Sequence, residues 1–261
     1  MTGTLQDIVD YQRYPLDSPP LRDACRGTLA HDGALVMPGF LTPHAISAIS
    51  REGEQHRHLA YFCAQEHNVY LTPSDPAFAD DHVRNLKVAS SKGCITDDQI
   101  PPRSPLRRLY DAPAFRDFLR DVLEEAALHA YADPLSSINL HYASAGQELG
   151  WHFDNSSFAI TLMIQQPEQG GVFEYVGAAR DADAGDMGFE RVRKVLDGEL
   201  RPCSLAMEPG ALVLFRGRNA IHRVTPVAGM RTRMLVVLAY NAEPGISLSE
   251  AARMTFYGRL R

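Results

Sequence analysis

From about residue 136 the chain becomes a succession of short runs whose composition leaves few folds open. SINLHYASA, FAITLMIQQ, GVFEYVG, CSLAMEP, ALVLFRG and RTRMLVVLAYN are each rich in β-branched or aromatic residues, and Gly, Pro, Asn and Asp separate them. Short strands at this spacing form an antiparallel sandwich or barrel. The predicted core over 136–243 is a double-stranded β-helix, a cupin-like jelly roll in a mainly β chain with flanking α. One stretch interrupts it: residues 178–200, with Phe189, Val192 and Val195 at helical spacing among charges, read as a surface insertion between two strands.

Residues 1–135 read as a mostly helical part that buttresses this core. DGALVMPGFLTPHAISAIS predicts a short strand, a turn at Pro38-Gly39, and a helix capped by Thr42 with Pro43 in its first turn, running to about Ala64. Leu106, Leu109, Tyr110, Phe115, Phe118, Leu119, Val122 and Leu123 recur at three- and four-residue steps, predicting amphipathic helices broken at Pro113. Residues 68–102 are read as irregular loops over a site mouth, and 244–261 as a short helix with a basic tail. At 261 residues, 45% hydrophobic and 22% charged, the chain is expected to be a single catalytic domain.

The chemistry is concentrated at WHFD. His152 and Asp154 lie two positions apart at an apparent strand end, where side chains at i and i+2 share a face, so both can reach one ion. A third ligand is supplied by His222, which lies beside another apolar strand, ALVLF, about seventy residues later. Two histidines and a carboxylate occupy one face of an octahedral metal and leave the other positions open, as in non-haem Fe(II) oxygenases. Arg231 and Arg233 follow in one strand phase, so both guanidinium groups are expected to point into the cavity and to need an anion there. A dicarboxylate cosubstrate whose other end chelates the metal meets that need.

Through HFD at 152–154, HRVTPV from His222 and the position of Arg231, the chain resembles the Fe(II)/2-oxoglutarate-dependent dioxygenases. The neighbouring text LGWHFDNSSFAITLMIQ, GGVFEYV and LFRGRNAIHRVTPV is similar to the group of free amino-acid hydroxylases and lysine-type radical halogenases. The resemblance implies Fe(II), 2-oxoglutarate and O2 as cofactors, metal ligation by His152, Asp154 and His222, and 2-oxoglutarate binding by Arg231, Arg233, Tyr142 and Thr161. It implies hydroxylation rather than halogenation, because halogenases of this group carry a small residue where this chain has Asp154. Asn155, where lysine-directed relatives have an acid, weakens the case for lysine. Substrate contacts are expected from Asn155, Arg84 and Tyr257, with the Arg84–Ser91 loop and Phe256 nearby, and the expected substrate is a free amino acid or close derivative.

Composition narrows the partners. A net charge of -6 offers nothing to a nucleic-acid backbone or an anionic membrane. A small molecule is the expected partner, and a homodimer is allowed. Cys25, Cys63, Cys94 and Cys203 are scattered without a CxxC pair, and the N-terminus lacks an apolar run, so the reading is a cytoplasmic protein with reduced thiols. The rival readings are a radical halogenase, a desaturase or cyclase, a zinc hydrolase, and a metal-binding jelly roll that senses a small molecule without turnover.

Overall fold

The computed structural model describes residues 4–261. In chain order the elements are α1 (Pro19–Asp32), β1 (Ala34–Met37), α2 (Pro43–His56), β2 (Tyr61–Asn68), β3 (Lys87–Ile95), α3 (Pro105–Asp111), α4 (Pro113–Leu123) and β4 (Ile138–Ala143). There follow β5 (Leu149–His152), β6 (Ala159–Gln165), β7 (Gln169–Gly170), β8 (Phe173–Val176), α5 (Phe189–Leu196), β9 (Cys203–Leu205), β10 (Leu212–Phe215), β11 (Ile221–Val224), β12 (Val227–Ala228), β13 (Arg233–Leu238) and α6 (Glu250–Tyr257).

The helices start where local chemistry satisfies their free N–H groups. Thr42 caps α2, its side chain accepting from the Ala45 N–H at 3.2 Å, and Ser104 caps α3 in the same way through Leu106. Pro113 separates α3 from α4 as expected, because a proline ring is tolerated in the first turn of a helix but not inside one. Helix α2 stops at His56 rather than near residue 64, and the YFCAQEHN stretch beyond it is strand β2.

One antiparallel sheet runs β1-β10-β6-β13-β4-β3-β5-β11-β8-β9, with β2 added on β3. Its chain of pairings folds around an interior as a jelly roll does, and the helical part is laid against one outer face. The expectation of loops over residues 68–102 fails in part, because VASSKGCI forms β3, paired to both β2 and β4. Its buried Ser90 is tolerated because the hydroxyl accepts from the Gly150 N–H at 2.9 Å and pairs with His67 Nε2 at 2.7 Å. Thus the N-terminal part, read as mostly helical, also supplies strands to the sheet. Residues 178–200 carry α5 between β8 and β9.

Strand parity divides the molecule. On β4, Ile138, Leu140 and Tyr142 join Leu29, Ile49, Phe115, Phe118 and Val122 in the core between sheet and helices. The alternate residues, Asn139, His141 and Ala143, face the barrel interior. On β13, Met234, Val236 and Leu238 take the helix side, leaving Arg233, Leu235 and Val237 to face inward. Among the described residues no helix is long and apolar enough to cross a membrane.

Candidate metal centre

His152 ends β5, and His222 lies directly opposite it on β11 in the antiparallel ladder. Opposed residues project from the same face of the sheet, and here the two imidazole centroids stand 4.2 Å apart. Asp154, in the loop after β5, brings Oδ1 to 3.5 Å from His222 Nε2 and 4.0 Å from His152 Nε2. One ligand atom from each residue lies within 4.8 Å of the others. The structure therefore brings together the three residues that were separated by some seventy positions in sequence.

Each imidazole is oriented through its other nitrogen. His152 Nδ1 donates to the Gly150 carbonyl at 2.7 Å, and His222 Nδ1 donates to the Ala220 carbonyl at 3.0 Å. These acceptors assign the Nδ1–H tautomer and leave both Nε2 lone pairs turned toward Asp154, the arrangement of metal-ligating histidines. Burial, reinforced by the neighbouring His222, pushes His152 far below the ordinary histidine range, so it is neutral at pH 7. Against the effect of burial, His222 holds Asp154 below the usual carboxylate range.

The donor set fits a divalent first-row metal, and the second carboxylate oxygen agrees with that fit. Asp154 Oδ2 is buried and has no hydrogen-bond partner, a costly state for a carboxylate oxygen unless a cation is close by. Gly217 makes room for it: a Cβ there would lie 1.9 Å from Asp154 Oδ2 and 3.0 Å from His222 Cε1.

The triad opens into a cavity of about 300 Å³ inside the barrel, walled by Phe158, Thr161, Phe173, Val213, Phe215 and Leu235. Arg233 also lines it. This arginine is only 4% exposed, its Nε and Nη2 have no hydrogen-bond partner among the described residues, and burial pushes its pKa down to about 10.

The remaining predicted residues divide. Thr161 lines the cavity. Arg231 does not: it is exposed in the bend before β13 and donates to the Pro167 carbonyl at 3.3 Å. Strand phase fails to carry it inward because the strand begins only at Arg233. Tyr142 is a second correction, since it faces the helix side of β4, is fully buried there, and donates to the Gly53 carbonyl at 2.7 Å. Asn155 is exposed, and Arg84 donates to the Pro73 carbonyl at 3.0 Å. Tyr257 is buried against Cys94 and Leu135 and donates to Asn139 Oδ1 at 2.8 Å. None of these three lines the cavity. Two residues that sequence reasoning passed over do line it, Lys92 and His141. The signal for His141 was present in INLHYA, where the apolar residues alternate with Asn139 and His141; Lys92 carried none.

Solved structures share this architecture. A 2OG-Fe(II) oxygenase family oxidoreductase from Burkholderia pseudomallei is 12% identical with a TM-score of 0.56, covering 87% of this chain and 93% of that one. The non-heme alpha ketoglutarate dependent epimerase SnoN from nogalamycin biosynthesis is 14% identical with a TM-score of 0.59, covering 85% of this chain and 84% of that one. A prolyl hydroxylase from Trichoplax adhaerens, solved with a hypoxia inducible factor peptide, is 10% identical with a TM-score of 0.55, covering 88% and 92%. Among curated proteins none matches the chain. At these identities the likeness establishes the fold, while a family model described as Halogenase D matches residues 22–255, nearly the whole chain. With two histidines and an aspartate gathered at the barrel's interior and that match over nearly its whole length, the chain belongs to the Halogenase D family.

Proposed function

We propose that the chain hydroxylates an unactivated C–H bond of a small substrate, a free amino acid or close derivative, using Fe(II), 2-oxoglutarate and O2. The observation that supports this most is Arg233: a buried guanidinium with two unpartnered donors, in the same cavity as the metal triad. A planar fork in an apolar wall suits a carboxylate held by two parallel hydrogen bonds. His152, Asp154 and His222 would hold the iron, and Arg233 would orient the far carboxylate of the cosubstrate. When bound, iron and 2-oxoglutarate supply the oxidation, in which O2 and the oxo acid yield succinate, carbon dioxide and one oxygen atom for the C–H bond. The rest of the work is positional. The aromatic and aliphatic walls from Phe158, Phe173, Phe215 and Leu235 exclude water, and the carbon held nearest the metal decides which bond reacts.

A radical halogenase is the second reading, favoured by the description of the family. Asp154 opposes it, because its carboxylate stands where a halide would need to bind and is packed directly against Gly217. A screen of free amino acids for succinate release, in air with ferrous iron, 2-oxoglutarate and chloride, separates the readings. Products heavier by one oxygen support hydroxylation; chlorinated products, or no substrate-stimulated succinate, refute it.

A further inference from the structure

The cavity contains a second cationic side chain besides Arg233. Lys92 on β3 points into the barrel, and its Nζ lies 3.2 Å from His141 Nε2 and 3.5 Å from His141 Nδ1. The ring of Phe256, from α6, flanks the ammonium with its centroid 5.6 Å away. Burial drives the His141 imidazole well below its ordinary pKa and pulls that of Lys92 down as well. His141 is therefore neutral, and among the described residues no carboxylate forms an ion pair with the ammonium, which stands beside the imidazole ring nearly equidistant from its two nitrogens. Among the described residues lining the cavity, Asp154 is the sole Asp or Glu, and it belongs to the metal.

Strand register places the two cations apart. Ala143 on β4 is opposite Arg233 on one side. On the other, β3 pairs Gly93 with Tyr142, so Lys92 comes next to Ala143. The row Lys92, Ala143, Arg233 crosses three strands with a small residue in the middle, separating the cationic residues by two strand spacings, roughly 10 Å between Cα atoms. Charge balance then distinguishes their roles. On the reading above, a divalent metal, one aspartate, a dianionic oxo dicarboxylate and Arg233 would together be neutral, and both ends of that dicarboxylate would be engaged by the metal and Arg233. The Lys92 ammonium is left over.

We propose that Lys92, beside His141, seats a carboxylate of the prime substrate at a place separate from the one Arg233 offers to the cosubstrate. This rests on the metal-centre reading above and deepens it, naming the substrate as a carboxylate-bearing molecule recognised through its acid group.

Binding to the protein loaded with Mn(II) and 2-oxoglutarate, which does not turn over, provides the test. The standard free amino acids and their carboxamides are titrated calorimetrically into the native chain, Lys92→Met and Lys92→Arg. In the native chain the acids that bind should lose about tenfold to a hundredfold in affinity as carboxamides, the effect of removing a charge-assisted hydrogen bond. Lys92→Met should abolish that preference, Lys92→Arg should keep most of it, and 2-oxoglutarate affinity should stay within about threefold in both. An acid preference that survives Lys92→Met overturns the proposal, as does a fall in 2-oxoglutarate affinity in that variant. If no amino acid binds to a chain that does take up Mn(II) and 2-oxoglutarate, the carboxylate seat is refuted and the metal centre stands. Failure to take up Mn(II) and 2-oxoglutarate refutes both.

Discussion

Replacing Arg233 by Met should make the ligand-free protein more stable and the same protein nearly unable to use 2-oxoglutarate. Burial pushes the guanidinium from its ordinary value down to about 10, a difference that corresponds to roughly 3 kcal/mol. The sign follows from proton binding: between those two values the unfolded chain holds the proton more firmly, so stability rises as pH climbs through the window. At pH 7 the whole penalty is present. Methionine has a similar reach and no charge, so Arg233→Met should remove up to about 3 kcal/mol of strain from the apo protein, read as a higher midpoint in urea. The same change deletes two charge-assisted donors, each contributing about 1.5–3 kcal/mol to a bound carboxylate. The apparent Michaelis constant for 2-oxoglutarate should therefore rise at least a hundredfold, with the prime-substrate constant much less affected. A variant that is less stable without ligand and still binds 2-oxoglutarate within about threefold of the native chain would refute the reasoning, because Arg233 would then have a protein partner.

Other perturbations read different parts of the site. Arg231→Ala, at an exposed bend, should leave the 2-oxoglutarate constant within about twofold, and a rise comparable to that of Arg233→Met would return the anchoring role to Arg231. Gly217→Ala places a methyl group 1.9 Å from Asp154 Oδ2, so metal affinity measured by competition with a chelator should fall on the order of a hundredfold while the circular dichroism spectrum is kept. Since burial holds His141 well below 6.5, the unfolded chain binds the extra proton first as pH drops, and stability should decline below about pH 6.5. His141→Asn should flatten part of that decline in urea unfolding; an unchanged slope would show that His141 is solvated.

Much of this was legible in the sequence, and the failures have specific causes. The strands announced themselves through β-branched runs between turn residues, and WHFD with a distant histidine carried the metal site because cross-strand pairing needs only that both residues sit at strand ends. Arg231 and Arg233 share a parity, so phase could not choose between them; the choice was made by where β13 begins, which depends on the short β7–β12 ladder tying down Val227 and Ala228 just upstream. Tyr142 failed for the opposite reason. Its parity places it with Ile138 and Leu140, an apolar set that packs on the helices, while the next residue, His141, takes the inward position. Lys92 could not have been found, because its position in the barrel follows from register between β3 and β4, strands more than forty residues apart in sequence. Tyr257 shows how a tail residue expected to touch substrate is consumed by packing, once Asn139 provides a partner for its hydroxyl.

The central claim is that one cavity holds a metal on His152, Asp154 and His222 and a dicarboxylate on Arg233. Anaerobic titration of the Fe(II)-loaded chain with 2-oxoglutarate tests it most directly, because chelation of the metal by the oxo acid produces a weak visible charge-transfer absorption. The account predicts an absorption that saturates at one equivalent per chain, is absent in His222→Ala, and in Arg233→Met requires far higher 2-oxoglutarate. An iron-loaded native chain that shows no such absorption, or an absorption that both variants retain unchanged, would contradict it.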